Sequence, residues 1–254
     1  MNNEKKVAWI TGGGTGIGSA LTKILVKNNW IVVVSGRRKE KLNKIKTFDN
    51  KNIFPLKLDI SSEKECRNVS KKIFSKFNRL DLIILNAAAY NPANLNFNNL
   101  SELKKVLDIN IMGQINCLGY AINIFKNRRS GHIVFVSSPA GFRGLPSAGI
   151  YGVSKSALTF LAELLYLELA RFKVKVQVIH PGFIKTPMTD KNKFPMPFLM
   201  DVDEASSRIY KKLFSSDFEI SFPKKLILPM KLISMLPNKI YFSLIRNLLK
   251  NIDR

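Results

Sequence analysis

Val7-Ala8-Trp9-Ile10-Thr11-Gly12-Gly13-Gly14-Thr15-Gly16-Ile17-Gly18 joins a short apolar run to a cluster of glycines, and a helical pattern follows through Leu21, Ile24 and Leu25. A second apolar run, Ile31-Val32-Val33-Val34, comes next. Strand, glycine turn, helix and strand within about 30 residues make the βαβ unit that binds dinucleotides. Glycines let the backbone turn tightly and approach a ligand with no Cβ in the way. The N-terminus of the helix behind them attracts a pyrophosphate.

The alternation continues outward from this unit. Ile53 to Leu58 reads as a strand, and Ser62-Glu63-Lys64-Glu65 carries the capping-box pattern that opens a helix to about Phe77. Leu82 to Leu85 and His132 to Val136 read as buried strands with a helical region from about Leu100 to Phe125 between them. A helix from near Tyr151 to about Phe172 precedes a strand over Val174 to Ile179. Continuous apolar strands separated by helices imply an α/β fold with a doubly wound parallel sheet covered on both faces. With no internal repeat and no linker, residues 1–254 are expected to form a single domain. Pro187 to Met200, with three prolines, reads as a lid loop; Asp203 to Phe214 as a helix; Phe218 to Phe222 as a last strand.

Composition is ordinary for a globular protein, 46% hydrophobic and 23% charged, and 254 residues suffice for a substantial core. Cys66 and Cys117 fit neither a metal spacing nor a disulfide framework, and no metal site is expected. No signal peptide and no long uncharged apolar stretch is read, so a cytoplasmic location is expected. The net charge of +23 is spread along the whole chain without a basic, aromatic-interleaved run, which argues against nucleic-acid binding.

Two details carry chemistry. The second strand ends Ser35-Gly36-Arg37-Arg38 with no acid, and arginine there suits the 2′-phosphate of NADP better than the bare ribose of NAD. Tyr151 and Lys155 stand one helical turn apart on one face. A phenol is a usable proton donor at neutral pH, and an ammonium one turn away is expected to lower its pKa.

With Thr11-Gly12-x-x-x-Gly16-Ile17-Gly18, Asp59, Asn86-Ala87, Asn110, Ser138, Tyr151-x-x-x-Lys155 and Pro181-Gly182 in this order, the chain resembles a short-chain dehydrogenase/reductase of the single-domain, Rossmann-like type over residues 5 to about 190. The resemblance implies that Tyr151 is the acid/base and that Lys155 lowers its pKa and holds the nicotinamide ribose. It implies that Ser138 polarises the substrate oxygen and that Asn110 holds a water in a relay to Lys155. Ser137 competes with Ser138, since adjacent strand residues face opposite ways. Asp59 would contact adenine, Asn86 the ribose region, and Ile184 and Thr186 the nicotinamide amide. The implied cofactor site also takes in Gly12, Thr15, Gly16, Ile17, Gly18, Arg37, Arg38, Ile60, Ala87, Pro181 and Gly182.

The family usually has Asn-Asn-Ala-Gly after the fourth strand. Here Leu85-Asn86-Ala87-Ala88 places a Cβ where the backbone passes the cofactor, which costs stability if that residue needs positive φ. The expected reaction is NADPH-dependent interconversion of a carbonyl and an alcohol. The apolar lid (Met188, Phe194, Met196, Phe198, Leu199, Met200) points either to a hydrophobic ketone or aldehyde, lipid-like, or simply to packing on the core. The Tyr151 helix is apolar nearly all round, and the family implies a homodimer or homotetramer. The extension from Pro223 holds seven Lys or Arg against Asp253 and admits two readings: a helix packed on its own domain, or a peripheral membrane contact. The rival functional class is a non-catalytic, NADP-binding or membrane-docked regulatory protein.

Overall fold

The computed structural model describes residues 5–91, 95–192 and 194–252, with side chains described as far as residue 247. Residues 1–4, residue 193 of the lid, the side chain of Lys250, Asp253 and Arg254 lie outside the described residues. The sheet runs β1 (Val7–Thr11), β2 (Ile31–Gly36), β3 (Ile53–Lys57), β4 (Leu82–Leu85), β5 (Gly131–Val136), β6 (Val174–Pro181) and β7 (Glu219–Phe222). Its spatial order is β3-β2-β1-β4-β5-β6-β7, with every pairing parallel.

Period-two alternation explains why both faces are buried. Val7, Trp9, Ile83, Leu85, Ile133 and Phe135 face one core with α3 (Glu63–Phe77), α5 (Gly113–Arg128) and α6 (Gly149–Leu169). Ala8, Ile10, Ile84, Val134 and Val136 face the other with α1 (Gly16–Lys27), α2 (Lys39–Lys46) and α7 (Val202–Leu213). The architecture is the expected doubly wound one. The chain changes direction between β1 and β4, and the crevice beyond the carboxyl ends of those strands is where such sheets bind ligands.

Local details refine several expectations. Helix α2 has only Leu42 and Ile45 to bury, too few apolar residues for its periodicity to stand out. At α3 the Ser62 hydroxyl accepts from the Glu65 amide as a capping box requires, but the Glu65 carboxylate turns to the Asp59 amide. The Leu100-to-Phe125 region is two helices, α4 (Leu100–Leu107) and α5, joined by a π-helical turn over Asp108–Met112. Among its described residues the lid contains one short 3₁₀ turn, Thr189–Lys191. The extension forms α8 (Lys224–Ser234) and α9 (Asn238–Ile252). Among the described residues no helix is long and apolar enough to cross a membrane.

Candidate active site

Thr11 ends β1 and fastens it to the end of β4. Its hydroxyl accepts from the amides of Asn86 (3.0 Å) and Ala87 (3.1 Å). The Asn86 side chain returns the tie by donating to the carbonyls of Thr11 (3.0 Å) and Gly12 (3.2 Å). Gly12 turns the chain at φ +67°, and a Cβ there would lie 2.8 Å from the Ala87 Cα and 2.9 Å from Asn86 Nδ2. Glycine is required at that position on both counts. Asn86 is thus the brace of the glycine turn. Gly16, at φ +53°, faces the Thr186 methyl, so the turn and the loop after β6 close on each other.

Thr15 stands at the N-cap of α1, yet its hydroxyl makes no cap bond and instead accepts from Arg38 at 3.3 Å. Arg37 and Arg38 are both exposed at the mouth of the turn. Asp59 is held below the usual carboxylate range: partial burial pushes it up, but the Ser61 hydroxyl and amide and the charge of Arg37 outweigh that. Ile60 is buried. Ala88 is not in the left-handed region, so the family glycine's replacement carries no backbone strain. Beyond β6, Ile184 is buried and bridges to Met200, while the Thr186 amide donates to Thr189 Oγ1. Of the six apolar lid residues only Met200 is fully buried, and Phe194, Phe198 and Leu199 are exposed. The lid therefore divides between the two readings given above.

The carboxyl end of β5 separates the two serines. Ser137 turns into the core, donating to the Lys155 carbonyl at 2.9 Å and meeting Thr159 Oγ1 at 3.0 Å. Ser138 turns to Tyr151. Its oxygen accepts from the Ala140 amide, which leaves its proton for the phenol. Tyr151 sits in the first turn of α6, and its pKa is raised: burial is the main cause, Ser138 opposes it, and neighbouring Tyr90 adds to it. In the ligand-free protein burial, rather than Lys155, sets the direction of the Tyr151 pKa. Lys155 Nζ donates to the Val136 carbonyl at 2.7 Å and lies 5.4 Å from the centre of the Tyr151 ring. Burial outweighs an ammonium at that range, and the phenol is held as an acid.

Asn110 lies in the π-helical turn, fully buried, with its amide committed. It accepts from the Ala89 amide (2.7 Å) and donates to the Ala89 carbonyl and Ser154 Oγ (2.9 Å each), bracing the β4 loop against α6. Tyr90 escaped the sequence reading, because a loop tyrosine has no periodicity to reveal it. Its ring meets Tyr151 edge-on at 4.7 Å, and its hydroxyl donates to Asn192 of the lid at 2.6 Å.

Burial pulls the Lys155 ammonium down to about 7. An unfolded lysine keeps its proton to about pH 10.4. Between those values the unfolded chain binds more protons, so the stability of the ligand-free protein rises with pH; below them the full burial cost is present. Lys155→Met should flatten that rise in urea unfolding compared at about pH 6 and pH 9. A slope like that of the parent would contradict the burial.

A family model described as short chain dehydrogenase matches residues 6–195. An uncharacterized oxidoreductase of Myxococcus xanthus is 30% identical over 96% of this chain and 97% of its own. Farnesol dehydrogenase of Aedes aegypti is 35% identical over 71% of this chain and 78% of its own. Among solved structures, ElxO with NADP bound superposes with a TM-score of 0.75 at 27% identity, covering 85% of this chain and 97% of that one. The matched residues include the glycine turn, Asn86, Ser138, Tyr151 and Lys155, and the chain belongs to the short-chain dehydrogenase family of oxidoreductases.

Proposed function

We propose that the protein is an NADPH-dependent reductase of a hydrophobic ketone or aldehyde, with Tyr151 as the acid. The observation that carries this is the Tyr151 phenol, kept protonated by burial and paired with a serine hydroxyl, at the carboxyl end of the sheet. A buried acid suits reduction, in which the carbonyl oxygen must receive a proton.

The residues fit a nicotinamide dinucleotide, because Gly12 and Gly16 leave a Cβ-free cradle at the N-terminus of α1. Gly18, Ile17 and Thr15 would complete the pyrophosphate side, Arg37 and Arg38 the 2′-phosphate, and Ile184 and Thr186 the nicotinamide amide. When bound, the cofactor supplies the hydride. The chain's residues do the rest. Ser138 would turn its proton from the phenol to the substrate oxygen and fix its position, and Tyr151 gives that oxygen its proton. Lys155 would hold the ribose, and its charge stabilises the phenolate left on Tyr151. The Asn110 amide protons are both used, so a relay water there would be held by an oxygen of Asn110 as acceptor.

Support for an apolar substrate comes from the exposed lid phenylalanines and from the relative named for farnesol. Turnover of NADPH on ketones and aldehydes of graded chain length tests the proposal: rates should rise with chain length, and none on any member of the panel would defeat it. Arg37→Ala/Arg38→Ala should weaken NADPH by about 10- to 100-fold, two lost charge-assisted bonds, with NADH unaffected. Equal losses for both nucleotides, measured by fluorescence titration, would remove the NADP assignment.

Phe160, Leu164 and Leu167 form an exposed apolar row on α6, which supports a homodimer or homotetramer built on that helix. The proposal keeps the cytoplasmic location. For the tail, buried Ile227 and Tyr241 favour packing on the domain, while exposed Leu228, Leu232 and Met235 beside Lys224 and Lys225 favour an additional membrane contact.

A further inference from the structure

The segment between Ser138 and Tyr151 carries one catalytic group at each end. It begins with a 3₁₀ turn, Pro139–Gly141, pressed onto the first turns of α6. A Cβ on Gly141 would lie 2.6 Å from the Ser156 nitrogen and 2.7 Å from the Lys155 carbonyl carbon, so this turn rests directly on the Lys155 backbone. Two residues later the C-terminal extension takes hold of it.

The Arg143 guanidinium reaches into the corner between α8 and α9. It donates to the carbonyls of Ser234 (2.8 Å) and Leu236 and to Asn238 Oδ1 (2.6 Å). Its plane lies over Tyr241, 3.9 Å from the ring centre, and the Tyr241 hydroxyl donates to the Gly144 carbonyl at 2.7 Å. Tyr241 is buried and Arg143 satisfies carbonyls at the C-terminal end of α8, where a cation is favoured. A fork of fixed geometry held on three acceptors and an aromatic face loses little further freedom, unlike a surface lysine.

A second strut runs from the same extension to the lysine. Lys231 of α8 pairs with Glu219, whose other oxygen meets His180 Nδ1 at 3.1 Å. His180 Nε2 meets Thr159 Oγ1 at 3.0 Å, and Thr159 lies 3.1 Å from the Lys155 carbonyl. Bonds to the imidazole and to Lys231 hold Glu219 down to about 2 despite its burial, so the carboxylate at the middle of this strut stays ionised across the working range.

We infer that the α8–α9 extension is a working part of the active site, and that Arg143 is a positioning residue that fixes the Ser138–Tyr151 segment from outside. The inference rests on the reading of Ser138 and Tyr151 as the catalytic pair. An ångström of freedom in that segment separates the serine and phenol from one oxygen, and misplacement on that scale costs up to about 100-fold in rate.

The test uses the full-length protein with Arg143→Ala, Arg143→Lys and Tyr241→Phe. Arg143→Ala should lower kcat by about 10- to 100-fold with NADPH affinity unchanged. Guanidinium ion added to it should restore much of the rate, whereas Arg143→Lys, lacking the fork, should stay slow. Tyr241→Phe keeps the ring under Arg143 and loses only the Gly144 bond, so its kcat should fall less. If Arg143→Ala does not fold, Tyr241→Phe decides the question, and a wild-type kcat in it overturns the inference. A wild-type kcat in folded Arg143→Ala, or a loss that guanidinium leaves untouched, overturns it as well. Amide exchange over Gly149 to Gly152 separates this from failure of the functional proposal. Even in a protein that turns over no carbonyl, Arg143→Ala must speed exchange there, and unchanged exchange defeats the brace alone.

Discussion

Tyr151→Phe should lower turnover by roughly 10²- to 10⁴-fold, the range lost with a general acid, while leaving NADPH binding intact. The substitution removes one oxygen and keeps the ring, so the edge-on contact with Tyr90 and the first turn of α6 persist. The Lys155 ammonium is turned to the Val136 carbonyl. Ser138 is a far weaker acid, and Tyr90 has its hydroxyl committed to Asn192. Steady-state rates and a fluorescence titration of NADPH on the same preparation separate chemistry from binding. Residual turnover within a few-fold of the parent would remove Tyr151 from its assigned role.

Gly12→Val should cost roughly 2–5 kcal/mol of stability, made up of left-handed backbone strain of about 1–2 and overpacking of about 1–3. The new Cβ would meet the Ala87 backbone, which cannot yield without moving β4. It would also displace Asn86 Nδ2 from its bonds to Thr11 and Gly12. Cofactor binding should be lost even where the protein still folds, since the turn that Asn86 braces is the cradle itself. Gly119→Ala is the control: that glycine is exposed on α5 with open space around its Cβ position, and alanine there should stabilise by about 0.5–1 kcal/mol. Urea unfolding of the two variants should therefore move in opposite directions. Equal stability would mean that the glycine turn is far looser than its geometry implies.

The sheet was legible because the strands from Val7 to Val136 are mostly apolar runs and β6 keeps a valine at every second position, and the glycine turn marks where the first one stops. The catalytic helix was legible for the same reason, since Tyr151 and Lys155 share one of its faces. What escaped the sequence is what depends on partners distant in the chain. Asn86 reads as a motif residue, but its work as a brace appears only when β1 and β4 lie side by side. Asn110 gives no sign of the π-helical turn around it, nor of Ser154 forty-four positions away. Nor does the Tyr151 pair disclose that burial outweighs the nearby amine. Arg143 is one arginine among 41 basic residues, and only the corner between α8 and α9 distinguishes it. Composition hid it.

The most direct measurement of the central claim follows the transferred hydrogen. NADPH deuterated at one face of nicotinamide C4, and in a second run at the other, would be turned over with the best carbonyl of the panel, and the alcohol analysed by mass spectrometry and NMR. One deuterium on the carbinol carbon, from one face of the nicotinamide only, is the result expected when Tyr151 protonates the oxygen and the hydride enters the carbon. Deuterium from both faces alike, or none from either, would contradict the account.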